Sequence, residues 1–515
     1  MSFQNAVSRR KFLATTAGLG AGAALAALPA GGARAAAPRA GGQLIAAVDG
    51  GGVGDSLDPA LALNKYLFVA GGLFYNNLIE ADDRNQLQPA LAVSWEARPG
   101  AAVWVLKLRP GVTFHNGKTL TAADVVYSLN HHRGAASKSA AKALLEPVTE
   151  LKATAPDEVT LTLDTGNYDF PYILTEYHLG IGPEGSSFTD PIGTGAFVLE
   201  KFEPGSRLLA RRNPSYWDSS RGHVDSVSLL VINDATARIA ALQAGQIHIA
   251  NNIPPHLVPT LEKNPALRIY STPSSAHVTF PMKSDAPPFA SNDLRLALKL
   301  AIDREELVRK ILGGHGRVGN DSPISDIDPY FAADLPIHSY DPDRAKFLYR
   351  KSGQDGPLVL TVSEAGFPGA VDAGQLFQGS ASRAGIRIEL ERAPVDGYYD
   401  HYWLKRPFFV SSWNGRLTPD LMFSTAYVST APWNESSWKR PDFDKLIVAA
   451  RAEPDQARRR QLYHEAQALV SAEGGEIIPA FNNYIIGVSA KLQGFEPSYA
   501  GDYSNRRAPE RVWFG

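Results

Sequence analysis

Residues 358–391 read LVLTVSEAGFPGAVDAGQLFQGSASRAGIRIELE, and this order of residue types spells a strand–helix–strand unit. Leu358–Ser363 is a short apolar, β-branched run of the kind that forms strands. Val371–Ala384 carries helical spacing and is closed by Gly385, the residue best able to take the left-handed conformation past a helix end. Ile386–Glu391 supplies a second strand. Such a crossover brings parallel strands together and is almost always right-handed. A second unit lies more than a hundred residues earlier: strand Val227–Ile232, helix Ala235–Ala244 and strand Ile247–Ala250. Two units so far apart predict two α/β lobes rather than one sheet.

Working outward, Leu44–Val48, Val103–Leu108, Val159–Leu163 and Phe408–Ser411 also read as strands. Thr121 and Asp124 fit a capping box before Val125, Val126 and Leu129, and Asp303 and Glu306 fit another before a helix that Gly313-Gly314 ends. Pro454 suits the first turn of a helix bearing Leu462, Ala466, Leu469 and Val470 on one face, with Gly474-Gly475 as its stop. The chain is mixed α/β, without an internal repeat.

Composition narrows the function. In 515 residues, Lys+Arg 51 against Asp+Glu 53 leaves a net charge of −2, far from the basic excess of a general nucleic-acid binder. The cysteine count of 0 excludes disulfides, thiolate metal sites, iron–sulfur clusters and cysteine nucleophiles. Residues 1–35 read as an export leader. Arg9, Arg10 and Lys11 precede an Ala/Gly-rich stretch from Ala14 to Leu28, and Ala33-Arg34-Ala35 offers a small-x-small cleavage site. The string SRRKFLA resembles the twin-arginine export signal. The apolar stretch is too short to span a ~30 Å hydrocarbon core, so no membrane anchor is expected.

Enzyme motifs fail on spacing. Gly117-Lys118-Thr119 lacks the glycine five residues earlier, where Val112 stands, and Asp55 occupies a position at which a dinucleotide fingerprint needs glycine. There is no His-Glu-x-x-His helix and no Gly-x-Ser-x-Gly elbow. His131-His132, adjacent and therefore about 100° apart on a helix, read as surface residues. What remains sits where open α/β sheets bind ligands, beyond the carboxyl ends of strands. Glu364 and Phe367 follow one strand, and Trp413, Asn414, Gly415 and Arg416 follow another. Together they offer an apolar wall, amides and a charge. Trp413 reads equally as a core aromatic, Arg416 also as half of a surface ion pair. Tyr427, Trp433 and Asn434 either line the same cleft or pack.

Several blocks resemble the extracytoplasmic substrate-binding proteins of ABC importers, in the peptide/nickel (family 5) group. They are Leu87-Gln-Pro-Ala-Leu-Ala-Val-Ser-Trp95, Leu108-Arg-Pro-Gly-Val-Thr-Phe-His-Asn-Gly117 with Leu120-Thr-Ala-Ala-Asp-Val125, Pro191-Ile-Gly-Thr-Gly195, Arg212-Asn-Pro-Ser-Tyr-Trp217 and the RLALKLAIDR stretch from Arg295 to Arg304. They occur in the family's order across nearly all of the mature chain.

The resemblance implies a two-lobed periplasmic-binding-protein fold (type II, cluster C-like). Lobe I would comprise 41–80, 190–275 and 485–515, with 81–189 as an inserted subdomain, and lobe II would comprise 276–484. Crossings near 275 and 484 would act as the hinge. It further implies a monomer that is not an enzyme, has no cofactor, captures a small molecule or peptide in the periplasm and docks on ABC permease subunits. One departure bears on the ligand. Peptide-binding relatives carry, after this tryptophan, an aspartate that pairs with the peptide amino terminus; here Arg416 stands at or near that position. A cation there favours an acidic peptide-like or amino-acid derivative, opine-like conjugates included. Asp420 either restores the negative partner or neutralises Arg416. Met282-Lys283 replaces the family's Met-Asn. The rival readings are a binder of a metal complex or haem within the same family, and an exported periplasmic enzyme.

Overall fold

Gln43–Val48 (QLIAAV) has no polar residue after its first, and it is the central strand of the largest sheet. Strands covered on both faces need such unbroken apolar runs. The computed structural model describes residues 37–515, Asp83 and Asp396 excepted, so the leader expected over 1–35 lies outside the described residues. From edge to edge, the seven strands are Leu267–Thr272, Tyr484–Ser489, Ile249–Ala250, Gln43–Val48, Ser226–Val231, Arg207–Arg212 and Phe197–Glu203.

The earlier crossover unit differs from expectation in one respect. Its strands, Ser226–Val231 and Ile249–Ala250, are both parallel to Gln43–Val48 but flank it on opposite sides, so they do not pair with each other. The helix Ala235–Gln243 spans that gap, with Asp234 accepting from the Ala237 N–H at 2.7 Å as its cap. The later unit forms as read. Leu358–Val362 pairs in parallel with Ile388–Arg392, Leu358 opposite Ile388, and the helix Ala370–Arg383 covers them.

A second sheet runs Gly316–Val318, Glu476–Asn482, His277–Pro281 and Ser411–Trp413, antiparallel throughout. A third holds Ala92–Ala97, Val103–Leu108, Glu158–Leu163 and Val148–Ala155. Its inner strands alternate buried and half-exposed residues, as a sheet with one wet face does. The helix Ala122–His131 lies against it, its start fixed by the Asp124 carboxylate, which accepts from the Thr121 N–H at 2.8 Å. The seven-stranded sheet bears two apolar clusters, and the second and third sheets bear one each. Another cluster gathers Trp413, Phe423, Tyr427, Phe443 and Tyr463 around the helices Pro441–Ala452 and Gln456–Glu473. The helix Gln456–Glu473 is capped by Asp455 rather than opened by Pro454, because the Asp455 carboxylate accepts from the Arg458 N–H at 2.7 Å.

The chain passes between the first two sheets at residues 273–276 and again at 482–483. These passages are tied to each other: the Ser274 hydroxyl donates to the Asn482 carbonyl at 2.6 Å, and the Asn482 N–H donates to Ala276 at 2.9 Å. No helix among the described residues is long and apolar enough to cross a membrane.

Candidate ligand-binding cleft

The site begins at the end of a strand. Ser411–Trp413 pairs with His277–Thr279, placing Trp413 opposite His277, and the backbone then leaves the sheet as Asn414-Gly415-Arg416. Thr418 ends this excursion, its hydroxyl accepting from the Leu421 N–H at 3.2 Å to cap the helix Pro419–Ala426. Gly415 is required here. A Cβ at this position would stand 2.8 Å from the Ser275 Cβ and 3.1 Å from its carbonyl carbon, so the turn rests directly on the first passage between sheets.

Beyond that turn lies a cavity of about 1160 Å³. It is walled on one side by Trp413, Asn414, Arg416 and Trp433, and on the other by Lys65, Phe68, Glu176 and Tyr177. This exceeds the ~300–1,000 Å³ typical of small-molecule sites and suits a peptide-sized solute. At its inner end is a recess of about 100 Å³ lined by Arg416, Tyr177, Tyr484, Asp502 and Arg506. Among the described residues, no group of three or more His, Cys, Asp or Glu converges so as to hold a metal ion.

Of the residues singled out from sequence, Trp413, Asn414, Gly415, Arg416, Asp420 and Trp433 line these cavities. Trp413 satisfies both of its readings. It is 8% exposed within an apolar cluster, yet one face reaches the cavity while its indole N–H donates to the Glu435 carboxylate at 3.0 Å. Trp433, 42% exposed, lies with its ring centre 6.1 Å from that of Trp413.

Arg416 forms no ion pair with any described carboxylate. Its nearest partners are two carbonyls of its own turn, Asn414 at 3.4 Å and Gly415 at 3.5 Å. Asp420 does not neutralise it. The Asp420 carboxylate takes Arg451, on the neighbouring helix Pro441–Ala452, at 2.7 and 3.0 Å, and the Ser424 hydroxyl, one turn along its own helix, at 3.2 Å.

Three residues expected near the ligand are employed elsewhere. Glu364 accepts from the Gly369 and Val371 N–H groups at 2.7 and 3.2 Å, supplying acceptors at the start of the helix Ala370–Arg383. Phe367 turns into the core, its ring 6.3 Å from Phe280. Tyr427 is buried and donates to Glu476. Asn434 is likewise structural, its amide donating to the Trp438 carbonyl at 2.7 Å. Of the two histidines read as surface residues, His131 is half-buried and His132 is not at the surface. His132 is fully buried, and His131 stacks on Phe188 at 4.4 Å and meets Asp58 at 2.9 Å.

Lys65, Phe68, Tyr177, Glu435, Asp502 and Arg506 were not foreseen. Glu435 is a buried carboxyl that accepts from both Trp413 and Trp403 and from the Thr279 hydroxyl. Burial pushes its pKa up despite these donors. Glu176 goes the other way: burial alone would raise it, but the His178 hydrogen bond and the charges of Arg416 and Arg506 hold it below the ordinary range.

The chain matches the family model described as "Bacterial extracellular solute-binding proteins, family 5 Middle" over residues 86–435. It belongs to that family. This family 5 protein is 25% identical over 468 residues to the glutathione-binding protein GsiB of Pectobacterium atrosepticum, covering 85% of this chain and 89% of that one. It is 28% identical over 458 residues to the oligopeptide-binding protein AppA of Bacillus subtilis, covering 82% and 83%. Among solved structures, the ABC transporter substrate-binding protein CtaP of Listeria monocytogenes superposes with a TM-score of 0.82 at 22% identity, over 92% of this chain and all of that one. The fold is therefore the α/β periplasmic-binding-protein fold of family 5, and the protein is a binder of solutes rather than an enzyme.

Proposed function

We propose that this family 5 protein is the periplasmic capture subunit of an ABC importer, and that its solute is an acidic peptide or amino-acid derivative whose anionic group meets Arg416. The observation that carries the reading is the guanidinium of Arg416, which lines the cavity without a carboxylate partner while the nearby Asp420 is consumed by Arg451. A half-buried cation facing a cavity is favourably completed by a carboxylate, through a charge-assisted and often bidentate contact. Glutathione, named in one relative, carries two carboxylates, which is consistent with an acidic solute.

In this reading, 41–80, 190–275 and 485–515 act as one lobe with 81–189 as its subdomain, and 276–484 act as the other. The change of sheet at 273–276 and 482–483 supports a hinge there. The ligand touches both lobes only when they close, so it shifts the open–closed balance by its differential affinity. The closed monomer then docks on permease subunits. Export would use the twin-arginine leader over residues 1–35, which removes any anchor on cleavage.

Native mass spectrometry of the freshly purified protein, followed by a thermal-shift screen of peptides, opines and amino-acid conjugates, tests this reading. A true ligand at ~100 times its dissociation constant stabilises the protein by about 2.7 kcal/mol. Acidic members of the screen should protect wild type and fail to protect Arg416→Ala. Equal protection of both proteins overturns the acidic assignment, and catalytic turnover of any member overturns the transport role.

A further inference from the structure

The recess at the inner end of the cleft is closed by a turn that ordinary residues avoid. Tyr503, Ser504, Asn505 and Arg506 have φ of 54°, 56°, 52° and 69°, four consecutive left-handed residues without a glycine. Each such residue costs about 1–2 kcal/mol. Tertiary bonds hold the turn. The Tyr503 hydroxyl donates to the Ala47 carbonyl at 2.5 Å, at the central strand of the seven-stranded sheet, and the Ser504 hydroxyl donates to Glu496. The Arg506 carbonyl sits where a Cβ on Gly72 would approach to 2.8 Å. Strain of this kind persists where the surroundings over-determine it, and it clusters at ligand sites.

The effect of the turn is to send two adjacent arginines to different places. Arg507 enters a buried cluster, donating to the Gly72 and Tyr75 carbonyls at 3.2 and 3.1 Å. Arg506 lines the recess, its guanidinium 5.4 Å from the centre of the Tyr177 ring. Among the described residues it donates only to the Asn505 and Thr175 carbonyls, at 3.2 and 3.4 Å, and forms no ion pair with a carboxylate. Burial brings its pKa down to about 10, which leaves it charged at neutral pH.

We infer that Arg506 and Arg416 form a clamp that holds a single carboxylate of the solute between them, Arg416 reaching it from the turn after Ser411–Trp413 and Arg506 from the turn at 503–506. This rests on the assignment of Arg416 to an acidic ligand and adds a second specificity-determining residue and the charge of the group. Lys65, Arg416 and Arg506 line the recess against the carboxylates of Glu176 and Asp502, an excess of one positive charge. One carboxylate balances that excess, whereas a phosphate dianion overshoots it. Glu176 faces both guanidiniums and offsets one of the two charges, so until the anion arrives the remaining positive charge opposes closure. Filling the clamp is then what makes the closed state favourable.

Succinate, its neutral isostere succinamide and inorganic phosphate serve as probes, in a thermal-shift titration of the dialysed mature chain at constant ionic strength. Succinate should protect wild type and succinamide should not. Arg416→Gln and Arg506→Gln should each weaken the succinate response about tenfold or more, the strength of a lost hydrogen bond to a charged group. The double variant should be no worse than the weaker single one, because both side chains hold one anion. Arg350→Gln, at an exposed helix position, should match wild type.

Loss in Arg416→Gln with full retention in Arg506→Gln overturns the clamp while leaving the Arg416 assignment standing. Full retention in both, or no protection of wild type, overturns the two together. Additive losses mean separate anions and overturn the shared site, as does equal protection by succinamide. Stronger protection by phosphate overturns the carboxylate assignment. If Arg506→Gln fails to fold, Arg506→Lys decides: keeping the charge but losing the fork, it should retain a reduced response, and an unchanged response refutes the clamp.

Discussion

Arg506 and Arg507 are neighbours in the chain, yet the clusters they join follow opposite designs. Around Arg507, two guanidiniums share the buried carboxylates of Glu80 and Glu510, and Asp218 pairs with Arg221 from the rim at 3.2 Å, so every guanidinium is ion-paired. Arg221 reaches Glu510 at 2.7 Å and Glu80 at 2.9 Å, while Arg507 reaches Glu80 at 3.4 Å and Glu510 at 3.8 Å. Around Arg506, three cations face two carboxylates, and neither Arg416 nor Arg506 is ion-paired among the described residues. A balanced buried cluster stabilises one arrangement of the chain. An unbalanced one at a cavity leaves charge for something from outside. Removing a member should therefore unfold the first and empty the second.

The largest effect is expected at Glu510, which is buried. Glu510→Ala leaves Arg221 and Arg507 half-compensated, and breaking a buried pair in this way costs about 3–5 kcal/mol. Urea unfolding of the ligand-free protein reads the loss directly. The same measurement on Arg416→Ala should stay within about 0.5 kcal/mol of wild type, because nothing in the fold depends on that guanidinium. Comparable losses in the two variants would erase the distinction.

The balanced cluster should also announce itself in acid. Burial alone would raise the pKa of Glu80, but Arg507 and Arg221 more than reverse this and bring it down to about 2. A carboxylate whose folded pKa is depressed stabilises the fold above its unfolded value, and that stabilisation is lost as pH falls through the folded value. For Glu80 the window runs from about 4.5 down to about 2. Glu80→Gln should flatten the fall in stability across this window. Parallel curves for variant and wild type would show that the cluster does not set the acid limit.

At the cleft the expected change is in preference. Arg416→Asp reverses the charge that this turn presents to the cavity. It should lose about tenfold to a hundredfold in affinity for acidic solutes, as charge-assisted bonds become repulsions. Peptides with free amino termini should gain. Calorimetric titration of both ligand types against both proteins gives the comparison, and an unchanged order of preference would remove Arg416 from the site.

Legibility from sequence followed how local each feature is. The unit at residues 358–391 was readable because its strands and helix are consecutive and its stop, Gly385, is the residue the geometry demands. Trp413 to Arg416 was readable for the same reason: a strand ends and a glycine follows. Glu364 also leaves a strand at the predicted edge, but the unsatisfied N–H groups of the next helix lie closer than any ligand. The flanking of Gln43–Val48 by the two strands of the earlier unit depends on a segment far away in sequence. The turn at 503–506 contains no glycine, so its left-handed path is imposed by bonds to Ala47 and Glu496 that no local pattern records. Lys65 and Tyr177 reach the cleft across the whole chain, and a single sequence offers no periodicity to reveal them.

The smallest effect separates the two tryptophans of the cleft wall. Trp413 is fixed from behind by Glu435, so its removal would disturb the fold and the ligand together and could not distinguish them. Trp433 stands on the same wall but is 42% exposed, and the core does not depend on it. Trp433→Ala should leave unfolding within about 0.5 kcal/mol of wild type. It should cost about 1 kcal/mol of binding, roughly fivefold, if the solute lays an apolar or aromatic part against that ring. Combined with Arg416→Ala, the two losses should add, because the anion end and the aromatic wall touch different parts of one ligand and share no partner. A Trp433→Ala variant that binds as tightly as wild type would confine recognition to the charged recess.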